Sequence, residues 1–191
     1  RSVAAFLRRA APAEVVVVDE DGRAAAALAK ALPAAAVTRV TAAAAAAVAG
    51  RCRCAVLGCS AALADGGIIA QPGARLVAEA CAARRKPVLA LCALYKLAPL
   101  HHPGAAAARA AVAADMSLGA ALPFGALPCD AGADPLAAPA PAVRHPRADA
   151  VPPDLVDLLV TNAGVHAPSY APRLLAEMYA PEDHDLLRAE L

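Results

Sequence analysis

The chain has 191 residues, enough for one domain with a substantial core. Its formal net charge is +1, so no global field draws it to nucleic acid or to a membrane surface. Apolar residues make up 60% of the sequence but aromatics only 3%, and Trp is absent. Much of the apolar content is alanine, which buries little area per residue, so the core is expected to rest on Val and Leu runs.

In chain order, "RSVAAFLRRAA" predicts a helix with Val3, Phe6, Leu7 and Ala10 on one face. "AEVVVVDE" reads as a buried strand ending in Asp19 and Glu20, two carboxylates at what would be the carboxyl edge of a sheet. Those carboxylates suit either a functional site or the capping of a helix. "DGRAAAALAKAL" predicts a helix stopped near Pro33, and "AAVTRVT" a second strand. Thr41 is a candidate cap for the helix "AAAAAAVAG", which Gly50 ends. "RCRCAVLG" predicts a third strand. "PGARLVAEACAARRK" predicts a helix with Pro72 near its first turn, and "PVLALCA" a fourth strand. Strand and helix alternating with short loops argue for an α/β fold with a doubly wound, mostly parallel sheet.

Beyond Leu100 the periodicity fades. "HHPGAAAARAAVAAD" leaves room for one helix, and residues 131–150, rich in Pro and Ala, read as an exposed loop. "LVDLLVT" predicts a closing strand or a helix-to-strand segment, and "PSYAPRLLAEMY" a final helix.

Between the third strand and the Pro72 helix lies "GCSAALADGGIIAQPGA", Gly58 to Ala74, a glycine-marked loop where α/β folds bind ligands. It carries neither the GxGxxG spacing of a dinucleotide fold nor a phosphate-binding P-loop. His101 and His102 point apart on any regular element and read as a solvated loop. Arg84, Arg85 and Lys86 close a helix whose dipole they offset, with an acidic partner as the other reading. Six cysteines sit mostly inside apolar patterns and read as buried, reduced thiols; Cys52-x-Cys54 lacks a second ligand pair for zinc. No stretch reads as a membrane span or secretory leader. The Arg1 start suggests a C-terminal piece of something longer.

Three stretches together resemble one family. "AVLGCSAALADGGIIAQPGARLVAEACAARRKPVLALCALYKLAP" is similar to the C-terminal domain of the regulatory subunits of initiation factor 2B, which are paralogues of two sugar-phosphate isomerases. "VPPDLVDLLVTNAGVHAPSYAPRLLAEMYAPEDHDLL" and the opening "RSVAAFLRRA" resemble the beta-type members in particular. The resemblance covers nearly all of the chain outside about 104–150, a variable insertion. It implies a single Rossmann-like C-terminal domain with helices on both faces of the sheet, over residues 1–191. Residues 1–11 would be its leading helix, and the family's N-terminal helical domain lies outside this chain.

The isomerases carry "GAD-x(4)-NG-x(3)-NK-x-GT" in the glycine-marked loop. Laid over this chain without gaps, the first glycine is Gly58 and the proton-moving aspartate falls on Ser60. The first Asn becomes Asp65, beside a retained Gly66, and the Asn-Lys pair becomes Ala70-Gln71 ahead of Gly73-Ala74. A serine hydroxyl shuttles no proton near neutral pH without an activating base, and losing a positioned acid–base group costs roughly 10²–10⁴ in rate. Gln71 removes the cation that offsets phosphate, Asp65 adds a repulsive charge, and only the helix start at Gly73 still suits an anion. Gly58, Ser60, Asp65, Gly66, Gln71 and Gly73 are therefore expected to be a vestigial pocket, with no cofactor and no catalysis. The family's other catalytic residue, a cysteine, lies upstream of this chain.

The resemblance implies a cytoplasmic regulatory subunit of the exchange factor for initiation factor 2. It would act through protein partners: delta- and alpha-type paralogues, the catalytic gamma- and epsilon-type subunits, and initiation factor 2 through its alpha subunit, with no direct nucleic acid and no membrane. Lys96, Asn162, Tyr170, Arg173 and Tyr179 are candidate contacts, as are the strands "VVVV" and "VTRV". Packing within the domain is the other reading for Tyr170. An active or ligand-binding isomerase homologue is the alternative function.

Overall fold

The computed structural model describes residues 2–100 and 148–180. Helix α1 (Ser2–Ala10) is followed by a parallel strand–helix–strand unit: β1 (Glu14–Val18), α2 (Arg23–Ala31) and β2 (Ala36–Val40). The register pairs Val15 with Val37 and Val17 with Arg39. The two carboxylates after β1 are both caps. Asp19 Oδ2 accepts the Ala25 N–H at 2.8 Å, satisfying an orphan donor in the first turn of α2. Glu20 Oε1 accepts the Ala42 N–H at 2.7 Å. The Thr41 side chain makes no cap bond, because Glu20 has taken that role. The helix predicted over 42–50 is a 3-10 turn (Ala42–Ala44) running into a short α3 (Ala45–Ala49).

Strand β3 (Ala55–Leu63) organises the rest. Its first half pairs in parallel with β5 (Val88–Leu91), from Ala55↔Val88 to Gly58↔Leu91. Its second half pairs antiparallel with β4 (Ile68–Ala70), after a break in register between Cys59 and Ala61. The stretch read as a loop is thus largely a hairpin. Ala62 and Ile68 face each other in the core, and the turn between the strands closes through Leu63 N–H to Gly67 O and Gly66 N–H to Leu63 O. Gly66 adopts φ +87°, a left-handed conformation suited to glycine.

The larger sheet runs β7-β4-β3-β5-β8-β9, with β6 (Leu97–Ala98) also on β3. Here β7 is Asp149–Val151, β8 Leu158–Thr161 and β9 Gly164–His166. Parallel pairs occupy its centre (β3–β5, β5–β8, β3–β6) and antiparallel pairs its edges. The chain is α/β, with helices packed on a mostly parallel sheet. Helix α4 (Ala74–Ala83) packs on β3, β5 and β7, α3 packs on α4, and α5 (Ala171–Met178) on β6.

Two details differ from the sequence reading. Asp149–Val151, at the end of the stretch read as a loop, is a strand, held by its ladder with Ile68–Ala70. The predicted closing strand is a hairpin, β8 and β9, whose tight turn is tied by Thr161 Oγ1 to Gly164 O and Ala163 N–H to Thr161 Oγ1. His101, His102, the helix suggested over 101–115 and most of the Pro/Ala stretch lie outside the described residues.

The core is built from small residues around a few branched ones. Ala62, Ala78, Ala90 and Ala171 are fully buried with Ile68, Leu159, Val88 and Val151. Alanine on facing elements lets α4 approach the sheet closely, which compensates for the low area each side chain buries. Strand β1 is less buried than its sequence suggests: Val17 is buried, whereas Val15, Val16 and Val18 are half-buried. The reason is topological. β1 and β2 form their own two-stranded sheet, and β1 shares no ladder with β3.

Candidate functional site: a cleft between the two sheets

The space between β1 and β3 is a cleft of about 790 Å³. One wall is Val15 to Val18; the other is Val56 to Ser60, with Val3 and Leu7 of α1 and the α4 N-terminus completing the lining. Gly58 is small for a steric reason: a Cβ there would stand 3.1 Å from Val3 Cγ2. The α1 helix therefore seats against β3 at a glycine.

Of the residues expected in a vestigial pocket, Gly58, Ser60, Gln71 and Gly73 line this cleft. Asp65 and Gly66 are not among its lining residues. Asp65 Oδ1 accepts the Gly67 N–H at 2.9 Å inside the hairpin turn, so its charge serves the turn. Gly66 lies against Pro168, where an added Cβ would come within 2.5 Å of the Pro168 carbonyl oxygen. The gapless overlay puts both residues in a pocket; the hairpin carries them out of it.

Lys96, expected at a partner surface, lines the cleft. It ends the 3-10 turn Leu94–Lys96 after β5, and its ammonium Nζ donates to Cys59 O at 2.8 Å. Asn162 holds that turn from the neighbouring strand end: its Oδ1 accepts the Leu94 N–H at 2.9 Å. Lys96 and Asn162 thus cooperate in one local structure. Tyr170 and Arg173 belong to another. The Tyr170 ring stacks on His166, centroids 5.1 Å apart, and the Arg173 guanidinium lies 5.3 Å from the Tyr170 ring centre. Arg173 Nε also donates to Glu177 at 3.1 Å, and that contact raises its pKa further. Tyr170 and Tyr179 both pack against the core cluster.

The α4 N-terminus is where the chain departs most from an anion site. Gly73, at φ +89°, presents its N–H into the first turn, but an internal carboxylate meets it. Asp149 Oδ2 accepts from Gly73 N–H at 2.7 Å and from Arg75 N–H at 3.3 Å. Asp149 lies 76 positions away in the chain, inside a stretch read as a loop, so no local signal marks it as a cap. A neighbouring sequence feature was equally silent: Asp157 Oδ2 accepts the Val88 N–H at 2.7 Å and ties the start of β5 to the turn before β8.

Cys59, Cys81 and Cys92 are buried and Cys52 and Cys54 half-buried, all as free thiols. Among the described residues no cluster of His, Cys, Asp or Glu could hold a metal, and no helix is long and apolar enough to cross a membrane. Among the described residues, the polar side chains lining the cleft are Ser60, Gln71, the Cys59 thiol and a lysine committed to a backbone carbonyl. None of these is a carboxylate or imidazole able to move a proton.

Residues 1–168 match the model of the initiation factor 2 subunit family. Over 128 residues the chain is 30% identical to translation initiation factor eIF2B subunit beta of Schizosaccharomyces pombe, covering 67% of this chain and 30% of that protein. The chain spans about 30% of the length of the curated relatives it matches. Its fold superimposes with a TM-score of 0.62 on a chain of the tetrameric eIF2B-beta2-delta2 complex of C. thermophilum, at 26% identity over 93% of this chain and 50% of the other. It also superimposes on 5-methylthioribose 1-phosphate isomerase from Pyrococcus horikoshii with a TM-score of 0.68, at 17% identity over 92% and 48%. That last likeness is one of fold alone.

Proposed function

The chain belongs to the initiation factor 2 subunit family, and from that premise we propose that it is a domain of a non-catalytic regulatory subunit, of beta type. Its complex would be the guanine-nucleotide exchange factor for initiation factor 2. The observation that carries the reading is the composition of the cleft. Ser60 and Gln71, which the overlay sets against the isomerases' acid–base carboxylate and lysine, line the cleft, and Asp149 occupies the N–H groups of Gly73 and Arg75 at the α4 N-terminus. A phosphate entering there would meet a carboxylate instead of free donors.

Such a domain works through its surfaces. Its partners in this reading are delta- and alpha-type paralogues, gamma- and epsilon-type subunits, and initiation factor 2, whose phosphorylated alpha subunit the assembled core would sense. Tyr95 (76% exposed) and Val165 (59% exposed) join Arg173 as the side chains offered for contact. Exposed aromatic and arginine side chains are the types that anchor interfaces. Purification of the tagged full-length protein from its own cytosol, with mass spectrometry of co-eluting proteins, tests this. Stoichiometric recovery of exchange-factor subunits is the expected result. Elution alone, together with isomerase turnover on a sugar phosphate, would overturn it.

A second reading has one observation in its favour: the cleft is large enough for a small ligand. Calorimetric titration with sugar phosphates and nucleotides separates a ligand-regulated subunit from a purely assembling one.

A further inference from the structure

We propose that Cys59 and Cys92 form a peroxide-responsive dithiol that closes to a disulfide between β3 and β5. The two residues directly follow the last register pair of these parallel strands, Gly58↔Leu91. Neighbouring strands lie about 4.8 Å apart. That spacing falls inside the Cα separation of about 4.4–6.8 Å that a disulfide spans. In-register neighbours on parallel strands point to the same side of the sheet. Both thiols are buried. Cys59 Sγ also donates to Leu91 O at 3.2 Å and Cys92 Sγ to Ala93 O at 3.3 Å, so both side chains hold defined rotamers. Cys59 lines the cleft, which gives a small oxidant a path to the pair.

The pair is electrostatically unequal. The Cys59 thiol beside Cys92, and then the Lys96 ammonium, pull the Cys92 thiol below its ordinary pKa against the opposing effect of burial. Cys59 is pushed up by the neighbouring Cys92 thiol and by burial. With Cys92 taken as the sulfur that ionises, its thiolate is the form that attacks peroxide. Its electron pair forms an S–O bond as the O–O bond breaks, and the departing hydroxide takes up a proton and leaves as water. Cys59 sulfur then attacks the Cys92 sulfenic sulfur. The S–S bond forms, the S–O bond breaks, and the Cys59 proton leaves with the hydroxide as a second water. Two thiols and one hydrogen peroxide give one disulfide and two waters. The link would fix β3 to β5 just where the β3 register breaks, beside the cleft that Cys59 lines.

The test is exposure of the folded full-length protein to stoichiometric hydrogen peroxide, followed by alkylation and tandem mass spectrometry of its peptides. The expected product is a Cys59–Cys92 linked peptide, lighter by two hydrogens and reversed by dithiothreitol. It should form roughly tenfold faster than Cys81 is modified, since Cys81 is a buried thiol raised mainly by desolvation. In Cys59→Ser, whose Cys92 should stop at sulfenic acid trapped by dimedone, the cross-link is absent. Should that variant misfold, the wild-type peptide map decides alone. Linkage of Cys52, Cys54 or Cys81 ahead of this pair, or irreversible sulfinic acid at Cys92 without cross-linking, would overturn the proposal. So would no reaction before unfolding.

Discussion

Gly73 donates its backbone N–H to the Asp149 carboxylate at 2.7 Å, joining the start of α4 to a strand 76 positions downstream. The same oxygen accepts from Arg75 N–H, so one side chain satisfies two orphan donors of the helix. Asp149→Ala should cost about 1–2 kcal/mol, roughly 3–6 °C in Tm. Asp149→Asn, which keeps an acceptor, should lose less. Thermal unfolding followed by circular dichroism gives the comparison; equal losses would mean the two N–H contacts contribute little.

Gly66 and Gly73 share a left-handed φ but differ in surroundings. At Gly66 an added Cβ meets Pro168 Cβ and O at 2.5 Å, whereas at Gly73 nothing lies within 4 Å. Gly73→Ala should therefore show only the backbone term, about 1–2 kcal/mol. Gly66→Ala adds displacement of the Pro168 backbone and should exceed about 3 kcal/mol. Urea unfolding midpoints for the two variants measure the difference directly.

Little of this hairpin was legible in the sequence. The alternation of strand and helix through Lys86 was visible because β-branched runs and alanine-rich helices have distinct periods. Gly58, Ser60, Gln71 and Gly73, which line the cleft, were picked out because a motif overlay locates residues by spacing. Asp65 and Gly66 were placed in the pocket by the same overlay, which counts residues but is blind to the bend that follows Cys59. Asp149 and the Cys59–Cys92 pair depend on contacts between distant segments, and no local pattern encodes those. Asp19 and Glu20 were recognised as either caps or site residues; only the positions of Ala25 and Ala42 decide for caps.

Asp19 gives an acid-dependent prediction. The Ala25 N–H holds its carboxyl below the ordinary carboxylate range, with burial opposing. Folding thus favours the ionised form. Its contribution is fully present above the unfolded carboxylate pKa and is lost as pH falls through the lowered folded value. Asp19→Asn should lower Tm at about pH 7, and the gap from wild type should narrow toward about pH 3. A gap constant across that range would show that the charge of Asp19 is not what matters.

Tyr170 and Arg173 touch each other but should respond differently to truncation. Tyr170 packs against the core, so Tyr170→Ala should cost about 3 kcal/mol. Arg173 is an exposed cation over that ring, and Arg173→Ala should stay within about 1 kcal/mol. Differential scanning calorimetry distinguishes them. A comparable loss for both would place the stability of this region in the cation rather than in burial.

The separation of β1 and β2 from the larger sheet has a consequence for how the chain opens. No ladder bond crosses from β1 to β3, and Asp19, Glu20 and Arg39 tie residues 14–42 mainly to one another. This segment is contiguous in sequence, whereas the larger sheet joins residues 55–98 to 149–166. The β1–α2–β2 unit is therefore a cooperative piece with its own opening free energy, lower than that of the whole. Amide hydrogens of Val15 and Val17, which face β2, should exchange through sub-global opening, while those of Ala90 and Leu91 wait for complete unfolding.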